Sequence, residues 1–487
     1  MRSKLNYRFV LKTLGFLLII ESICLMTASL ISFYLGEECG NAIVISAAIT
    51  FGAGLLLNIL GTEEVEEGVG KRESFLVVAL SWTVMSAFGM LPYYLSGEIG
   101  NISDAYFETM SGFSSTGATI VQNIDGMSKG LLFWRSLTQW VGGIGIIVFA
   151  LVLLPMVGGN ASILYEAEAT GIVRMKFRPR IGQMAKRLYL SYLVLTLILI
   201  LLLWLGPMNL FDSVCHALTT ISTGGFSTKQ VSIAYWDSAY VEYVLSFFMF
   251  IGGVNFALIY YLFQGVGSKM AKDEEFRWYF VICIIFIVVI ALGIFSSGTI
   301  GNIEEAFRTS LFQVVSVITT TCFFTADYTS WGAFYTIAFS LLMLFCACGG
   351  STSGGMKIVR LIVLSKNAIN EFKRQVHPNA ILPVRFNGNV ISTDIVTKIL
   401  AFLFLYLGII VLSSLVFSFT GMGFEESVGT SISCMSNTGL AFDEHGLSGG
   451  YANIPIFSKW YMCFLMLTGR LEIFTVLSLF MPAFWKK

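Results

Sequence analysis

Four short polar phrases carry the residues whose chemistry is easiest to interpret in this chain. They are Ser115-Thr116-Gly117, Ser222-Thr223-Gly224, Thr320-Thr321-Cys322 and Asn437-Thr438-Gly439. Each phrase lies between two long apolar runs, and successive phrases are about one hundred residues apart, which is typical of an internal repeat. Glycine ends three of the phrases and allows the backbone to turn its carbonyl oxygens in directions that a side chain would forbid. We therefore predict that the phrases meet on one axis and present a ring of carbonyl oxygens to a cation.

Acidic residues lie at the start of the segment that precedes each phrase. They are Asp104, Asp212, Glu304-Glu305 and Glu425-Glu426. The segments fit half-length helices that end at the phrases, so that the negative end of each helix dipole points toward the cation. Carboxylates stabilise the positive end of such a helix, which is where these acids lie. Solvated loops and ordinary helix caps explain the same acids equally well.

The composition of the 487 residues places the phrases in a membrane. Hydrophobic residues make up 56% of the chain and charged residues 12%, against about 25% charged residues in soluble domains. Several stretches of roughly 20 residues have almost no charge and are long enough to cross a bilayer. The nine cysteines are scattered, and the close pair Cys346 and Cys348 has no second pair or histidine nearby. Neither structural disulfides nor a tightly held metal centre is therefore expected.

The elements that must position the phrases form a repeated unit. Each unit has a spanning helix, a half-helix that reaches the phrase through a re-entrant loop, and a second spanning helix that returns. Such a loop is stable at membrane depth only where protein or water covers it, which favours four loops around one pore. We expect an all-α polytopic membrane protein with ten transmembrane helices, in which four such repeats surround a pseudo-fourfold pore. The predicted boundaries are 1–70 for an N-terminal two-helix addition, 71–160 for repeat 1, 161–267 for repeat 2, 268–385 for repeat 3 with an intramembrane gating loop, and 386–487 for repeat 4.

A second glycine follows each phrase at a nearly constant distance. The separation is 26 residues from 117 to 143, 29 from 224 to 253, 28 from 322 to 350, and 30 from 439 to 469. Unrelated helices would not keep this spacing four times. The spacing therefore supports four copies of one unit.

The distribution of positive charge predicts the orientation in the membrane. In the repeated arrangement both termini and the long loops between repeats share one side, which holds 24 of the 30 Lys and Arg residues. Positive residues concentrate on the cytoplasmic side of membrane proteins, so both termini are expected in the cytoplasm. The basic stretches 174–187 and 357–385 are also the only sizeable surfaces for a soluble partner, although topology alone accounts for most of their charge.

Two features of the returning helices suggest a gate. The third returning helix contains Gly349, Gly350, Ser351, Thr352, Ser353, Gly354 and Gly355. Each glycine costs a helix about 1 kcal/mol, so we expect a break and a flexible loop, although small residues also serve helix packing. Arg470 lies inside the last apolar helix, where an arginine costs about 2.5–3.5 kcal/mol unless it faces a cavity or a partner. It is expected either on the pore wall, where its charge opposes cations, or in an ion pair with an acid such as Glu472.

Several features together resemble the Trk/Ktr/HKT superfamily of potassium transporters, and TrkH-like membrane subunits in particular. They are the phrases, the two leading helices, the Gly-Ser-rich third returning helix and the stretch Phe177-Arg178-Pro179-Arg180-Ile181-Gly182. The resemblance implies K⁺ as the transported ion, Gly117, Gly224 and Gly439 in its filter, and a gate formed by Arg470 and the glycine-rich run. It also implies a homodimer in the bacterial inner membrane, in contact with lipid, and a cytosolic, RCK-type nucleotide-binding regulatory subunit that is TrkA-like. No nucleic-acid partner and no covalent or organic cofactor are expected.

Cys322 departs from the glycine pattern of the other phrases. Cysteine resists the backbone angles that glycine accepts, so the third side of the ring is expected to be less regular. We therefore expect weaker discrimination of K⁺ over Na⁺ than in tetrameric channels with four identical filter strands.

Three classes of function compete for this sequence. A gated, K⁺-preferring uptake pore is the leading hypothesis. A secondary symporter coupled to H⁺ or Na⁺ is the alternative; its proton-carrying candidates are Glu21 and Glu472, whereas His216 fits a packing role better. A membrane enzyme is disfavoured, because the chain has no HExxH, GxSxG or P-loop pattern.

Overall fold

The computed structural model describes residues 5–61, 71–157, 181–440 and 450–485, and most of these residues are helical. Three segments that the sequence singled out lie outside the described residues. They are the charged residues 62–70, the basic loop 158–180 and, within that loop, the stretch from Phe177 to Arg180.

The helices follow one another with short connections. In chain order they are α1 (Tyr7–Tyr34), α2 (Gly40–Leu60), α3 (Lys71–Gly89), α4 (Leu91–Ser96), α5 (Ile102–Phe113), α6 (Lys129–Val157), α7 (Ile181–Trp204), α8 (Leu210–Ile221), α9 (Ala239–Gly252), α10 (Phe256–Phe263), α11 (Ser268–Lys272), α12 (Glu274–Ser296), α13 (Ile303–Ile318), α14 (Ala333–Phe345), α15 (Ile358–Val376), α16 (Thr393–Phe419), α17 (Phe424–Ser436), α18 (Ile456–Arg470), α19 (Ile473–Ser478) and α20 (Pro482–Trp485). Two short 3₁₀ helices, Ser232–Trp236 and Tyr328–Trp331, lie in the loops before α9 and α14.

The first two helices pack closely against each other. Gly15 of α1 faces Gly54 of α2, and a Cβ atom added to Gly15 would lie 2.7 Å from the carbonyl oxygen of Gly54. The pair of glycines therefore allows the two backbones to approach. Helix α1 also packs on α3 and α6, which attaches this pair to the rest of the chain.

Four half-helices, α5, α8, α13 and α17, form the centre of the molecule and are mostly buried beyond their exposed first turns. Asn101, Asn209 and Asn302 cap the first three, because each side-chain oxygen accepts a hydrogen bond from a backbone N–H of the first turn. The fourth begins after Gly423, whose N–H donates to the Glu426 carboxylate over 3.3 Å. All four have acidic residues in the first turn. The sequence predicted these acids at the helix starts but did not identify the asparagine caps.

The helices that return from the centre differ from one another. Helix α6 is continuous, whereas α9 and α10 form a pair bent by 108° at residues 253–255. The third ends at Phe345 and continues as α15 only at Ile358, so the expected break lies at residues 346–357. The fourth ends at Arg470, and α19 starts three residues later at Ile473, after Glu472 with φ of +65°.

Because of these interruptions, helix lengths alone do not confirm the predicted ten spanning helices. Six helices in the described part of the chain are long and apolar enough to cross a membrane, and a seventh span results if the bent pair counts as one. The sequence-based count treated every returning segment as one spanning helix. Helix α14 has only 13 residues and α18 only 15, because glycine-rich or strained positions end them inside the apolar region.

The peripheral helices expose apolar side chains, as expected for a protein surrounded by lipid. Phe404, Leu412 and Leu415 of α16 and Leu292 of α12 are all largely exposed. A small antiparallel hairpin, β1 (Arg385–Phe386) and β2 (Asn389–Val390), follows α15 and contacts the start of α12. The chain is therefore a polytopic helical membrane protein.

Candidate ion-binding site

The four polar phrases adopt one common backbone conformation. In each of them two residues, separated by one, have φ in the left-handed region. The pairs are Ser115 and Gly117, Thr223 and Gly225, Thr320 and Cys322, and Asn437 and Gly439. The residue between each pair donates its N–H to a carbonyl five positions earlier, over 2.8 to 2.9 Å. We call the segments Ser115–Gly117, Thr223–Gly225, Thr320–Cys322 and Asn437–Gly439 the ring segments.

This conformation corrects the alignment of the second phrase. The sequence aligned Gly224 with Gly117, but the residue with the matching φ of +80° is Gly225. Ser222, which was predicted as the first residue of the phrase, ends the half-helix and corresponds to Ser114. The error arose because two glycines are adjacent there, and residue types alone do not reveal which one has positive φ.

The ring segments contact one another in a fixed order, the fourth with the first, the first with the second and the second with the third. A side chain on Gly117 would collide with the carbonyl oxygen of Gly224, and a side chain on Gly225 would collide with that of Thr321. A side chain on Gly439 would collide with the carbonyl oxygen of Thr116. In these three segments the third residue therefore lies against the middle residue of the next one. At Cys322 the chain places a side chain where the other segments have none.

The carbonyl oxygens of the ring segments are mostly free of hydrogen bonds. In the described part of the chain only the carbonyl of Gly224 accepts one, from the side chain of Gln139 over 2.7 Å. The half-helix that precedes each segment directs the negative end of its dipole toward these oxygens. Free, clustered carbonyl oxygens are the groups that replace the hydration shell of a monovalent cation.

A cavity opens on one side of the ring. Gly117, Gly225, Cys322 and Gly439 all contribute to its wall, so the third residues of the four segments face a common space. Arg135 and Lys229 also line this cavity. The ring can therefore be reached from the side on which the half-helices begin.

A buried ion pair that the sequence did not indicate supports the outer face of the ring. Arg135 of α6 contacts Glu108 of α5 over 2.5 Å, and both side chains are almost completely buried. The Arg135 guanidinium also donates to the carbonyl oxygen of Ser227 over 3.0 Å and lies 3.8 Å from the centre of the Phe226 ring. Glu108 in turn accepts a hydrogen bond from the N–H of Ile120 over 3.0 Å. The pair thus joins the residues that follow the first two ring segments.

The loop 346–357 lies on the other side of the ring. The hydroxyl group of Thr352 lies 3.2 Å from the carbonyl oxygen of Ile221 and 3.3 Å from that of Gly252. It also accepts a hydrogen bond from the hydroxyl group of Thr223 over 3.2 Å. The N–H of Gly354 donates to the hydroxyl group of Thr320 over 3.2 Å. The predicted gating residues therefore touch two of the ring segments directly.

Arg470 connects this loop to the first returning helix. Its guanidinium donates to the carbonyl oxygen of Thr352 over 2.6 Å and to that of Gly142 over 2.7 Å. Glu472, the acid considered as its partner in the sequence, forms an ion pair with Arg360 of α15. Arg470, Glu472 and residues of loop 346–357 line one cavity, which also reaches Arg360 of α15.

Glu275 at the start of α12 holds both ends of the loop. Its carboxylate accepts hydrogen bonds from the N–H of Gly349 over 2.6 Å and from the N–H of Val359 over 3.2 Å. Lys357 is also buried, and its ammonium group donates to the carbonyl oxygen of Ser353. Lys357 directly follows the glycine-rich run in the sequence, but nothing there indicated that Glu275, 74 residues before Gly349, contacts it.

The spacing glycines pack against the ends of the half-helices, with one exception. A side chain on Gly143 would lie 2.7 Å from Cβ of Ser222 at the end of the second half-helix, and one on Gly469 would collide with the carbonyl oxygen of Met435. In the third repeat the sequence chose Gly350, but Gly350 lies against Asn255, and Gly354 is the residue that meets Ser436. The constant spacing failed there because loop 346–357 replaces a helix.

Comparison with known proteins identifies the class first. A family model described as a cation transport protein, TrkH, matches residues 40–487. The Trk system potassium uptake proteins TrkH of Escherichia coli K12 and Halomonas elongata are 32% and 33% identical to the chain, each over 99% of this chain and 100% of the relative. The crystal structure of the potassium transporter TrkH from Vibrio parahaemolyticus superimposes with a TM-score of 0.90 at 30% identity and covers 99% of the chain and 100% of that structure.

The chain belongs to the TrkH family. The match covers the ring segments, loop 346–357 and Arg470, all of which lie inside residues 40–487. The protein is therefore a membrane transport protein rather than an enzyme.

Proposed function

We propose that this protein takes up potassium across the bacterial inner membrane through a gated, K⁺-preferring pore. Its relatives in Escherichia coli and Halomonas elongata carry the name of potassium uptake proteins, which supports K⁺ as the transported ion. The single observation that carries the proposal is that all four ring segments line one cavity, with nearly all of their carbonyl oxygens free. A ring of this kind lets a cation exchange water for carbonyl oxygens without a large energetic cost.

The ring segments act as the selectivity filter in this proposal. Four half-helix dipoles converge on it with their negative ends, which favours a cation at the centre. Threonine and serine side chains in the segments bond to neighbouring protein groups, so ion coordination is assigned to the backbone. The acidic first turns of the half-helices face the outer side and raise the local concentration of cations there.

Loop 346–357 and Arg470 form the gate in this proposal. Thr352 lies beneath the filter, and the hydrogen bonds of Arg470 hold it between the fourth and the first returning helix. A fixed guanidinium charge below a cation filter raises the barrier for a second cation. Opening requires Arg470 to release Thr352 or the loop to move sideways.

The remaining organisation follows from the same account. We assign four repeats, 71–160, 161–267, 268–385 and 386–487, around the pore, with ten membrane crossings and both termini in the cytoplasm. The unit 1–70 is an addition outside the pore. The membership in a Trk system favours a cytosolic regulatory subunit of the RCK type, TrkA-like, and a homodimeric membrane assembly in contact with lipid. The hairpin 385–390 and α15 are the described surfaces best placed for such a subunit.

One observation favours the alternative of a symporter coupled to H⁺. Glu21 of α1 is 1% exposed, and both of its carboxylate oxygens have no hydrogen-bond partner among the described residues. An ionisable residue inside a membrane-spanning helix is a candidate for proton exchange in a coupled transporter. However, Glu21 lies against Gly89 and α5 and does not line either cavity of the ring, so the uncoupled pore is the stronger reading.

Ion flux into proteoliposomes distinguishes the two functions. The purified chain is reconstituted, and K⁺, Rb⁺ and Na⁺ uptake are measured with and without an imposed pH gradient. The pore predicts K⁺ and Rb⁺ flux that exceeds Na⁺ flux and that a pH gradient alone does not drive. Uphill K⁺ accumulation driven by the pH gradient, abolished in Glu21→Gln, would replace the pore by the symporter.

A further inference from the structure

Gln139 of α6 is a buried polar residue whose side chain forms hydrogen bonds with the second ring segment and the residue after it. Its side chain is fully buried. The side-chain N–H donates to the carbonyl oxygen of Gly224 over 2.7 Å, and the side-chain oxygen accepts from the N–H of Phe226 over 3.0 Å. The two bonds bracket Gly225, the third residue of the second ring segment. A residue from the first repeat thus fixes the backbone of the second.

The other three ring segments are fixed in a different way. Each has threonine in the middle, and its hydroxyl group bonds to the residue two positions earlier at the end of the half-helix. The pairs are Ser114 with Thr116 over 2.7 Å, Thr319 with Thr321 over 2.8 Å, and Ser436 with Thr438. The second segment has Ser222 at the earlier position but glycine, Gly224, in the middle. It therefore lacks this hydroxyl pair.

The Gln139 side chain occupies the space that a side chain on Gly224 would need. A Cβ atom on Gly224 would lie 2.9 Å from Cγ of Gln139 and closer still to its amide carbon and oxygen. The backbone of Gly224 is not in the left-handed region, so its conformation alone would accept a side chain. The three atoms nearest to such a Cβ all belong to the Gln139 side chain, which lies where a threonine side chain would begin.

Support by Gln139 instead of a hydroxyl pair also changes one carbonyl oxygen of the ring. The Gly224 carbonyl is the one ring-segment carbonyl in the described chain that accepts a hydrogen bond, whereas the equivalent carbonyls of Thr116, Thr321 and Thr438 accept none. A carbonyl that shares its electron density with an N–H donor attracts a cation less strongly. Discrimination between K⁺ and Na⁺ depends on the number and strength of such oxygens and on their freedom to move.

We propose that Gln139 is a positioning residue that sets the ion selectivity of the ring, in place of the hydroxyl pair that the second segment lacks. This inference rests on the proposed function, because it assumes that the ring segments select the ion. Gln139 acts through the backbone of Gly224 and Phe226 and does not contact the ion.

The test compares three variants of the full chain in proteoliposomes. Gln139→Ala removes both bonds, and Gln139→Met removes them while it keeps the length of the side chain. The double variant Gln139→Ala/Gly224→Thr gives the second segment the hydroxyl pair of the other three, with Ser222 as the partner. Gln264→Ala is the control, because Gln264 is an exposed glutamine that bonds only to Tyr260 of its own helix. The K⁺/Na⁺ permeability ratio is measured at equal amounts of reconstituted protein.

The permeability ratio is the decisive readout, because a general loss of stability lowers both fluxes together. We expect Gln139→Ala and Gln139→Met to lower the ratio roughly three- to tenfold, the effect of a lost buried hydrogen bond. The double variant should return to within about twofold of the wild type, and the control should not change.

Two results would overturn the inference. The first is an unchanged ratio in both single variants, and the second is a double variant that is no more selective than Gln139→Ala. If the single variants do not fold, the double variant alone tests the inference. The inference then requires that the double variant folds and prefers K⁺ over Na⁺. A wild-type protein without K⁺ preference would instead contradict the proposed function, and the same experiment measures that separately.

Discussion

The two sides of the ring differ in how closely the four repeats resemble one another. On the outer side, four capped half-helices end in four segments with the same pair of left-handed residues. On the inner side, the four returning helices are continuous, bent by 108°, replaced by a loop, or interrupted beside Arg470. The four repeats are therefore alike where they present backbone oxygens and differ in the helices that return from the ring.

This difference follows from what each side must do in the proposed function. Coordination of an ion by carbonyl groups needs similar backbone angles, and side chains as different as Ser115, Thr320 and Asn437 permit them. A gate needs one element that moves against fixed neighbours. The inner side provides this asymmetry, because a single loop contacts the second repeat through Thr352 and the fourth through Arg470.

Disruption of the outer ring should have the largest effect. In Gly225→Ala the new methyl group collides with the carbonyl oxygen of Thr321, at a φ of +80°. Left-handed strain and overpacking together cost about 2–5 kcal/mol, so K⁺ uptake should fall roughly 100-fold or more. Gly408→Ala, on the lipid-side helix α16 with no atom nearby, should leave uptake unchanged. Normal K⁺ flux in Gly225→Ala would show that the four segments do not act as one ring.

Removal of Arg470 should have the next largest effect, in the opposite direction. Arg470→Ala loses the bonds to Thr352 and Gly142 and the positive charge below the ring. Hydrogen bonds from charged groups contribute about 1.5–3 kcal/mol, so resting K⁺ flux should rise roughly tenfold. Arg470→Lys keeps the charge but cannot bond to both carbonyls equally well. Its resting K⁺ flux should therefore lie between that of the wild type and that of Arg470→Ala. Unchanged flux at normal protein level would remove Arg470 from the gate.

Loss of Glu275 should open the inner side more weakly. In Glu275→Ala the N–H groups of Gly349 and Val359 lose their acceptor, while the contacts of Arg470 remain. Resting K⁺ flux should increase about three- to fivefold, as expected for one weakened attachment among several. Glu371→Ala, which breaks an exposed ion pair with Arg374 on α15, is the matched control. A resting K⁺ flux equal to that of the control would show that the hydrogen bonds of Glu275 do not keep the gate closed.

Replacement of Cys322 should have the smallest effect and should make the outer side more regular. Cys322 has φ of +58°, a conformation that costs a residue with a side chain about 1–2 kcal/mol. In Cys322→Gly all four third positions become glycine, so the K⁺/Na⁺ permeability ratio should rise about two- to threefold. Cys24→Ala in α1 serves as the control. A lower ratio would show that the thiol side chain itself contributes to selectivity.

The sequence predicted the features that depend on local residue types. The four phrases, the acids of the half-helices, the two leading helices and the break near Gly349 are all visible as composition changes along the chain. The bend at residues 253–255 was missed, although Asn255 caps α10 by accepting from the N–H of Ala257 over 2.9 Å. An asparagine after two glycines would have been a usable signal for that helix start.

Contacts between repeats were beyond prediction. Gln139 looks like any polar residue in an apolar helix until the second ring segment is placed against it. The choice between Gly224 and Gly225 depends on backbone angles that neighbouring residue types do not determine.

The central claim is that the four ring segments bind one cation together. The most direct test is a crystal structure of the full protein grown in Rb⁺, with anomalous scattering used to locate the ion. We expect an Rb⁺ peak at the centre of the ring, within coordination distance of carbonyl oxygens from all four segments. The absence of a peak there, with Rb⁺ bound elsewhere along the conduction path, would contradict the account.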